Sequence, residues 1–328
     1  MKRNLLISAL ASVLMIGANT VQAQSLESSF EFLKLPVSAH SSSLGGRAVS
    51  LFDADPLLYI ANPASLSANE SRMLGLNAMT WFSGTTVAGA QYSNRFDERS
   101  HFAFNARYVS YGRMKETAAD GTVTGTFTAK DMAVGASWAY MLTDNLSGGV
   151  TANLITSRYG SMSSVAIGVD LGLIWIADEG LTLGLAATNL GGQIKAFENT
   201  FQKLPSDLCA GVSWKPEHAP LRFTLSMDNL TRWDSDDFYF GQDDDKGFGE
   251  ILKRHISLGA DLCLTERFYI AMGLNLRTRA EMAGKGNKGF TGMSIGTGLR
   301  LGKIMFDLSY GKYQVSESSL ICNFAFNI

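Results

Sequence analysis

Residues 165–175 read Val165-Ala166-Ile167-Gly168-Val169-Asp170-Leu171-Gly172-Leu173-Ile174-Trp175. Val165, Ile167, Val169, Leu171, Leu173 and Trp175 are large and apolar. Ala166, Gly168, Asp170 and Gly172 between them are small or polar. Successive side chains of a strand point to opposite faces, so the stretch predicts a strand with one greasy face and one small face. A soluble antiparallel sheet alternates too, but its second face is usually polar and solvated. Here that face is mostly glycine and alanine. A strand with lipid on one side and a filled lumen on the other needs this pattern.

The pattern spreads from there along the chain. Ile256, Leu258, Ala260, Leu262 and Leu264 alternate with Ser257, Gly259, Asp261 and Cys263. Phe268, Ile270, Met272, Leu274 and Leu276 alternate with Tyr269, Ala271, Gly273, Asn275 and Arg277. Many segments reach about ten residues, as a tilted outer-membrane strand requires. The expected fold is all-β: residues 72–328 form a transmembrane antiparallel β-barrel of about fourteen strands, an even number as bacterial single-chain barrels use. With the N-terminus in the periplasm, the connections Leu142–Asn145, Ala177–Gly180, Lys215–Pro220, Leu264–Arg267 and Leu301–Lys303 fall on one side and are short. Arg113–Val123, Gly191–Ser206, Leu230–Leu252 and Thr278–Lys288 fall on the other and are long. Short periplasmic turns and long outer loops are the expected asymmetry. The chain ends on Leu320, Cys322, Phe324, Phe326 and Ile328 on one face, an aromatic last strand resembling the terminal signal read by the barrel-assembly machinery. It must pair with the first strand, because an open edge in lipid leaves backbone groups unsatisfied.

Composition agrees. Charged residues are 18% of the 328, below the roughly 25% of a soluble domain. The net charge of −2 and the lack of a basic stripe argue against nucleic acid as a partner. Residues 1–23 read as a signal peptide. Lys2 and Arg3 precede the apolar run Leu5 to Ala18, and Val21-Gln22-Ala23 places cleavage after Ala23. Cys209, Cys263 and Cys322 are odd in number and make no CxxC, so they read as small apolar residues in strands.

Residues 24–71 break the alternation. They are too polar and irregular for lipid, and are expected to form an N-terminal plug, or hatch, inside the barrel or just beneath it. No catalytic or metal chemistry stands out. His40, His101, His218 and His255 have no ligand spacing and read as unrelated surface or loop residues. No nucleophile elbow or nucleotide-binding glycine motif is present. No enzyme activity, metal or cofactor is expected. The richest polar cluster, Asp234, Asp236, Asp237, Asp243, Asp244 and Asp245, surrounds Phe238, Tyr239 and Phe240 in the longest outer loop. Its carboxylates form no EF-hand. They read as a solvated loop whose aromatics suit contact with a protein partner. Asp170, Asp261, Arg277, Arg300 and Asp307 are expected to face the lumen and to pair with each other or with the plug, since buried charges need partners.

One string in the plug region carries a resemblance. Phe32-Leu33-Lys34-Leu35-Pro36-Val37-Ser38-Ala39, Leu44-Gly45-Gly46, Asp53-Ala54-Asp55 and Asn62-Pro63-Ala64-Ser65-Leu66 resemble the start of PorQ-type members of the PorV/PorQ group of FadL-like outer-membrane barrels, components of the type IX secretion system. His40-Ser41-Ser42-Ser43 departs from the small residues expected there. The resemblance implies a hatch motif at Leu44, Gly45, Gly46, Asn62, Pro63 and Ala64. It also implies an integral outer-membrane subunit of the attachment complex. Such a subunit holds a PorZ-like surface protein beside a PorU-like sortase and a PorV-like barrel. The complex processes cargo and joins it to lipopolysaccharide. The alternative is a FadL-like channel for hydrophobic small molecules. That function needs a hydrophobic pocket near the outer loops and a kinked strand, for which Gly148-Gly149 and Gly191-Gly192 are candidates.

Overall fold

A computed structural model describes residues 29–69, 72–177, 180–197, 201–233, 247–282, 289–314 and 317–328. The signal peptide and the Asp-rich stretch 234–246 lie outside them. The strands are β1 (Met73–Thr80), β2 (Thr86–Arg95), β3 (Ser100–Thr117), β4 (Val123–Thr143) and β5 (Leu146–Tyr159). Then come β6 (Met162–Ile176), β7 (Leu181–Lys195), β8 (Asp207–Trp214), β9 (Leu221–Met227) and β10 (Ile256–Thr265). The last four are β11 (Phe268–Asn275), β12 (Met293–Leu301), β13 (Ile304–Gly311) and β14 (Ser319–Asn327). Each pairs antiparallel with its neighbours in sequence, and β14 closes on β1 through Met73↔Asn327 to Thr80↔Leu320. The fourteen-stranded closed barrel expected from the alternation is therefore present. With no open edge, the strands' backbone groups pair around the ring, the condition for crossing lipid.

Burial follows the sequence parity. Ile167, Val169, Leu171 and Trp175 are exposed on the outside of β6, while Ala166, Asp170 and Ile174 are buried inside. Trp138, Trp175, Trp214 and Phe223 lie outward near one rim and Tyr108 and Tyr310 near the other, a lipid-facing band edged by aromatics. An apolar belt around a closed barrel makes this an integral outer-membrane protein.

The barrel is lopsided. β3 to β7 run 14 to 21 residues, whereas the other strands have 7 to 10. This corrects one expectation: Arg113–Val123 is not a loop. β3 and β4 continue as a two-stranded ribbon that turns at residues 118–122. Its side chains are exposed on both faces. Alternation vanishes where both faces meet water, so the period-two signal ends at the membrane surface. Among the described residues three short α-helices stand apart from the wall: α1 (Ala39–Ser43) inside, and α2 (Phe248–Lys253) and α3 (Leu276–Met282) at the outer end. Arg277, expected in the lumen, is on α3; β11 stops at Asn275.

Candidate functional site: the filled lumen and its outer vestibule

Residues 29–69 lie against the inner wall. Their turns are built locally. The Ser38 side chain accepts from the Ser41 N–H (3.2 Å) at the start of α1, and Asn62 caps the turn Pro63–Ala68 by accepting from the Ala64 N–H (3.1 Å). Small wall residues allow the backbone in. Any Cβ at Gly273 would collide with the Leu44–Gly45 backbone, and one at Gly184 with Val49. Gly45 itself sits at φ +94°, a left-handed conformation that side chains disfavour. Leu44, Val49, Leu51, Leu58 and Leu66 are buried in this contact.

The hatch-motif residues thus meet the wall directly. Leu44, Gly45 and Gly46 reach β10 and β11, where the Asn275 amide donates to the Gly45 carbonyl (2.9 Å). Pro63 and Ala64 abut β5 and β6. The Asn62 amide donates to the carbonyls of Val49 (2.7 Å) and Leu173 (3.2 Å), tying the segment to itself and to β6.

Buried charges fasten the rest. Arg222 on β9 donates to Asp261 on β10 (2.7 Å) and to Asp53 on the segment (2.6 Å). His40 Nε2 stands 3.1 Å from Asp261 Oδ1, with its ring 4.3 Å from that of Tyr269. Tyr269 in turn donates to Asp307 (2.8 Å). Arg47 donates to Thr188 (3.0 Å) and Asp207 (3.4 Å). Arg107 reaches the carbonyls of Phe32 (3.2 Å) and Leu33 (3.4 Å). Asp261 therefore pairs with the segment, as the sequence suggests. Asp170 instead accepts from its wall neighbours Asn153 (2.7 Å) and the Asn189 N–H (2.6 Å). His40 corrects its reading as a surface or loop residue: it is 3% exposed at the centre of the network. Arg47, Arg107 and Arg222 were not singled out from the sequence. Arg107 and Arg222 occupy inward positions of alternating strands, so parity could have found them.

Three groups on the segment set a pH dependence. Burial alone would raise Asp53, but the Arg222 guanidinium outweighs it and holds the carboxyl at about 2, below the ordinary 3.8. Burial would lower His40, but the Asp261 carboxylate prevails and raises it above 6.5. Burial and then Asp307 hold Asp55 above 3.8. A depressed carboxyl stabilises above its unfolded pKa and is lost as pH falls through the folded one. A raised histidine or carboxyl stabilises below its unfolded pKa and is lost as pH rises through the folded one. The fastening is therefore expected to be tightest near pH 3.8 and to loosen on both sides. Protection of the segment from protease at a series of pH values checks this. His40→Gln should flatten the part of the profile above pH 6.5, where the imidazole titrates.

A cavity of about 60 Å³ remains open in the lumen, beside Arg107, Asn153 and Asp170. A larger vestibule of about 360 Å³ opens above the segment at the outer end. Leu35, Pro36, Trp81, Phe82, Met282 and Tyr313 form its apolar side; Lys34, Arg47, Asp207, Asp228, Arg277 and Glu281 form the polar side. Trp81 packs 4.4 Å from Phe82 and 4.6 Å from Tyr313 between ring centroids.

Of the two glycine pairs considered as kinks, Gly148-Gly149 pairs in regular register. The irregularity lies just before Gly191-Gly192. The β6–β7 register shifts between Val169 and Leu171, and Asn189 takes φ +57°. Asp170 bridges it and the wall stays closed. The loop residues Asp234, Asp236, Asp237, Phe238, Tyr239, Phe240, Asp243, Asp244 and Asp245 lie outside the described residues. At the edges of that loop Trp233 packs on Phe248 (5.9 Å) and His255 (4.2 Å).

No protein-family model matches the chain, and no curated protein matches it in sequence. Solved structures do match in fold. A FadL homologue of Pseudomonas aeruginosa aligns over 90% of this chain and 99% of its own, with TM-score 0.56 and 11% identity. The Pseudomonas putida toluene transporter TodX aligns over 93% and 99%, with TM-score 0.58 and 12% identity. CymD, a monoaromatic hydrocarbon channel, aligns over 91% and 98%, with TM-score 0.58 and 15% identity. The chain thus has the fold of FadL-like barrels.

Proposed function

We propose that this protein is a FadL-like outer-membrane channel that captures a small hydrophobic or amphipathic molecule in its outer vestibule and admits it when the N-terminal segment yields. The observation that carries this reading is the vestibule itself, about 360 Å³ with an aromatic wall, seated directly on that segment. Ligand sites are concave and mostly apolar with a few placed polar groups. The neighbours' fold supports it, since those proteins are described as transporters and channels for hydrocarbons. The segment serves as the hatch and the charge network as its latch. The test is uptake into proteoliposomes of a fluorescent alkyl probe too polar at one end to cross lipid alone. Faster entry than in empty liposomes supports the channel; equal rates overturn it.

A second reading keeps one specific observation. The string from Phe32 to Leu66 that resembles the PorV/PorQ group is also the stretch that fills the lumen and is pinned by Asn62, His40 and Asp53. A barrel sealed in this way serves as an anchor, holding a PorZ-like surface protein beside PorU-like and PorV-like partners. An affinity pull-down from gently solubilised outer membranes separates the two. Recovery of such partners, with no probe uptake, supports the anchor; recovery of the barrel alone with bound lipid or fatty acid supports the channel.

A further inference from the structure

One carboxylate of the vestibule makes no ion pair within 4 Å among the described residues. Glu31 pairs with Lys34 (2.9 Å), Arg47 with Asp207 (3.4 Å) and Arg277 with Glu281 (3.0 Å). Arg254, behind the wall, also turns to Glu281 (3.2 Å). Asp228, just past the end of β9, lines the same cavity, and its Oδ1 is buried without a hydrogen-bond partner. Its backbone is held on both sides, donating to the His255 carbonyl (3.0 Å) and accepting from its ring (2.8 Å), which fixes the position from which the half-buried side chain extends. A buried carboxylate oxygen that accepts nothing costs free energy until a donor arrives. Across the cavity stand Leu35, Trp81, Phe82 and Met282.

We infer that the vestibule selects molecules with a protonated amine at one end and an apolar body, the ammonium donating to Asp228 and the body lying on the Trp81–Phe82 wall. This deepens the channel reading and rests on the vestibule being a ligand site. A carboxylate-headed molecule would meet Asp228 with like charge, and an uncharged one would leave Oδ1 unserved. The surroundings make the site pH-dependent. Asp207 and Cys209 face Asp228 from β8, and Arg47 from the segment and Arg277 from α3 act on it; Glu281 lines the same cavity, and His255, just before β10, holds its backbone. Burial, then Asp207, pushes the Asp228 carboxyl up to about 6. Below that value it is neutral and the ammonium loses its counter-charge.

The test uses the whole mature chain in zwitterionic nanodiscs, with three probes of one chain length: decylamine, decanol and decanoate. Binding is read from tryptophan fluorescence after subtracting partition into empty nanodiscs. At neutral pH decylamine is expected to bind about tenfold tighter than decanol, the worth of one charge-assisted hydrogen bond, with decanoate weakest. Asp228→Asn should bring decylamine to the decanol level, Asp228→Glu should restore much of the preference, and acidification to about pH 5 should erase it. Heat-modifiable gel mobility shows that each variant remains a barrel. Equal binding of all three probes, or an amine preference that survives Asp228→Asn, overturns the role of Asp228 and leaves the vestibule standing. No binding of any probe overturns the vestibule as a ligand site, and this inference with it.

Discussion

Replacing Arg222 by alanine is expected to cost about 3–5 kcal/mol, the range for removing one partner of a buried ion pair. Arg222 is the single cation that both Asp53 and Asp261 touch, at 2.6 and 2.7 Å, and its side chain is 11% exposed. Asp53 belongs to the N-terminal segment and Asp261 to the wall, so one side chain joins the two bodies. Without it two carboxylates face each other in a poorly solvated lumen. His40 remains beside Asp261 but offers only one nitrogen to it. Arg222→Lys keeps the charge but not the fork that reaches two acceptors, and should fall between wild type and alanine. Adding Asp53→Asn to Arg222→Ala should recover part of the loss, because the cost is mainly the stranded charge. The measurement is the guanidinium midpoint in detergent with unchanged m. A loss under about 0.5 kcal/mol, the scale of an ordinary surface change, would mean that the Arg222 ion pairs do not hold the segment.

The legibility of this fold follows the solvent around each residue. In the membrane belt, lipid is uniform outside and the lumen uniformly small inside, so residues 165–175 and 268–275 reveal strand and face. The ribbon of β3 and β4 above the membrane, from Tyr111 to Lys130, has water on both faces, and its sequence shows no preference to read. The segment from Ser29 to Asn69 touches wall residues far away in the chain. No periodicity links His40 to Asp261 or Asp53 to Arg222, so their pairing was invisible although every member was on the page. Asp261 and Asp307 are legible in the sequence, because a charge at an inward strand position demands a partner. Asp228 gave no signal at all. It follows a strand, resembles any loop aspartate, and becomes distinctive only when the cavity around it is seen.

Deleting residues 24–66 should convert the barrel from a closed body into a pore. The wall does not need the segment for its own hydrogen bonds, since all fourteen strands pair in a closed ring. What the deletion exposes is the inner surface. There Ser93, Ser137, Ser147, Thr151, Ser213 and Thr224 are buried among glycine and alanine, a lining that water wets readily. Barrels little wider than this one hold aqueous channels when unplugged. The emptied lumen would also carry a field. Asp131, Asp170, Asp207, Asp261 and Asp307 point inward against Arg107, Arg222 and Arg300, and carboxylates lining a pore favour cations. Planar-bilayer recordings should therefore show stepwise, cation-selective currents for the deletion and none for the intact chain. If the deleted form folds, as heat-modifiable mobility reports, and still passes no more current than the intact protein, the segment is not the barrier. The outer connections would then have to close the mouth, and the channel reading would lose its gate. Current without cation preference would leave the segment as the barrier but show that the inner carboxylates are neutralised once it is gone, because Asp261 would then have only Arg222 to face.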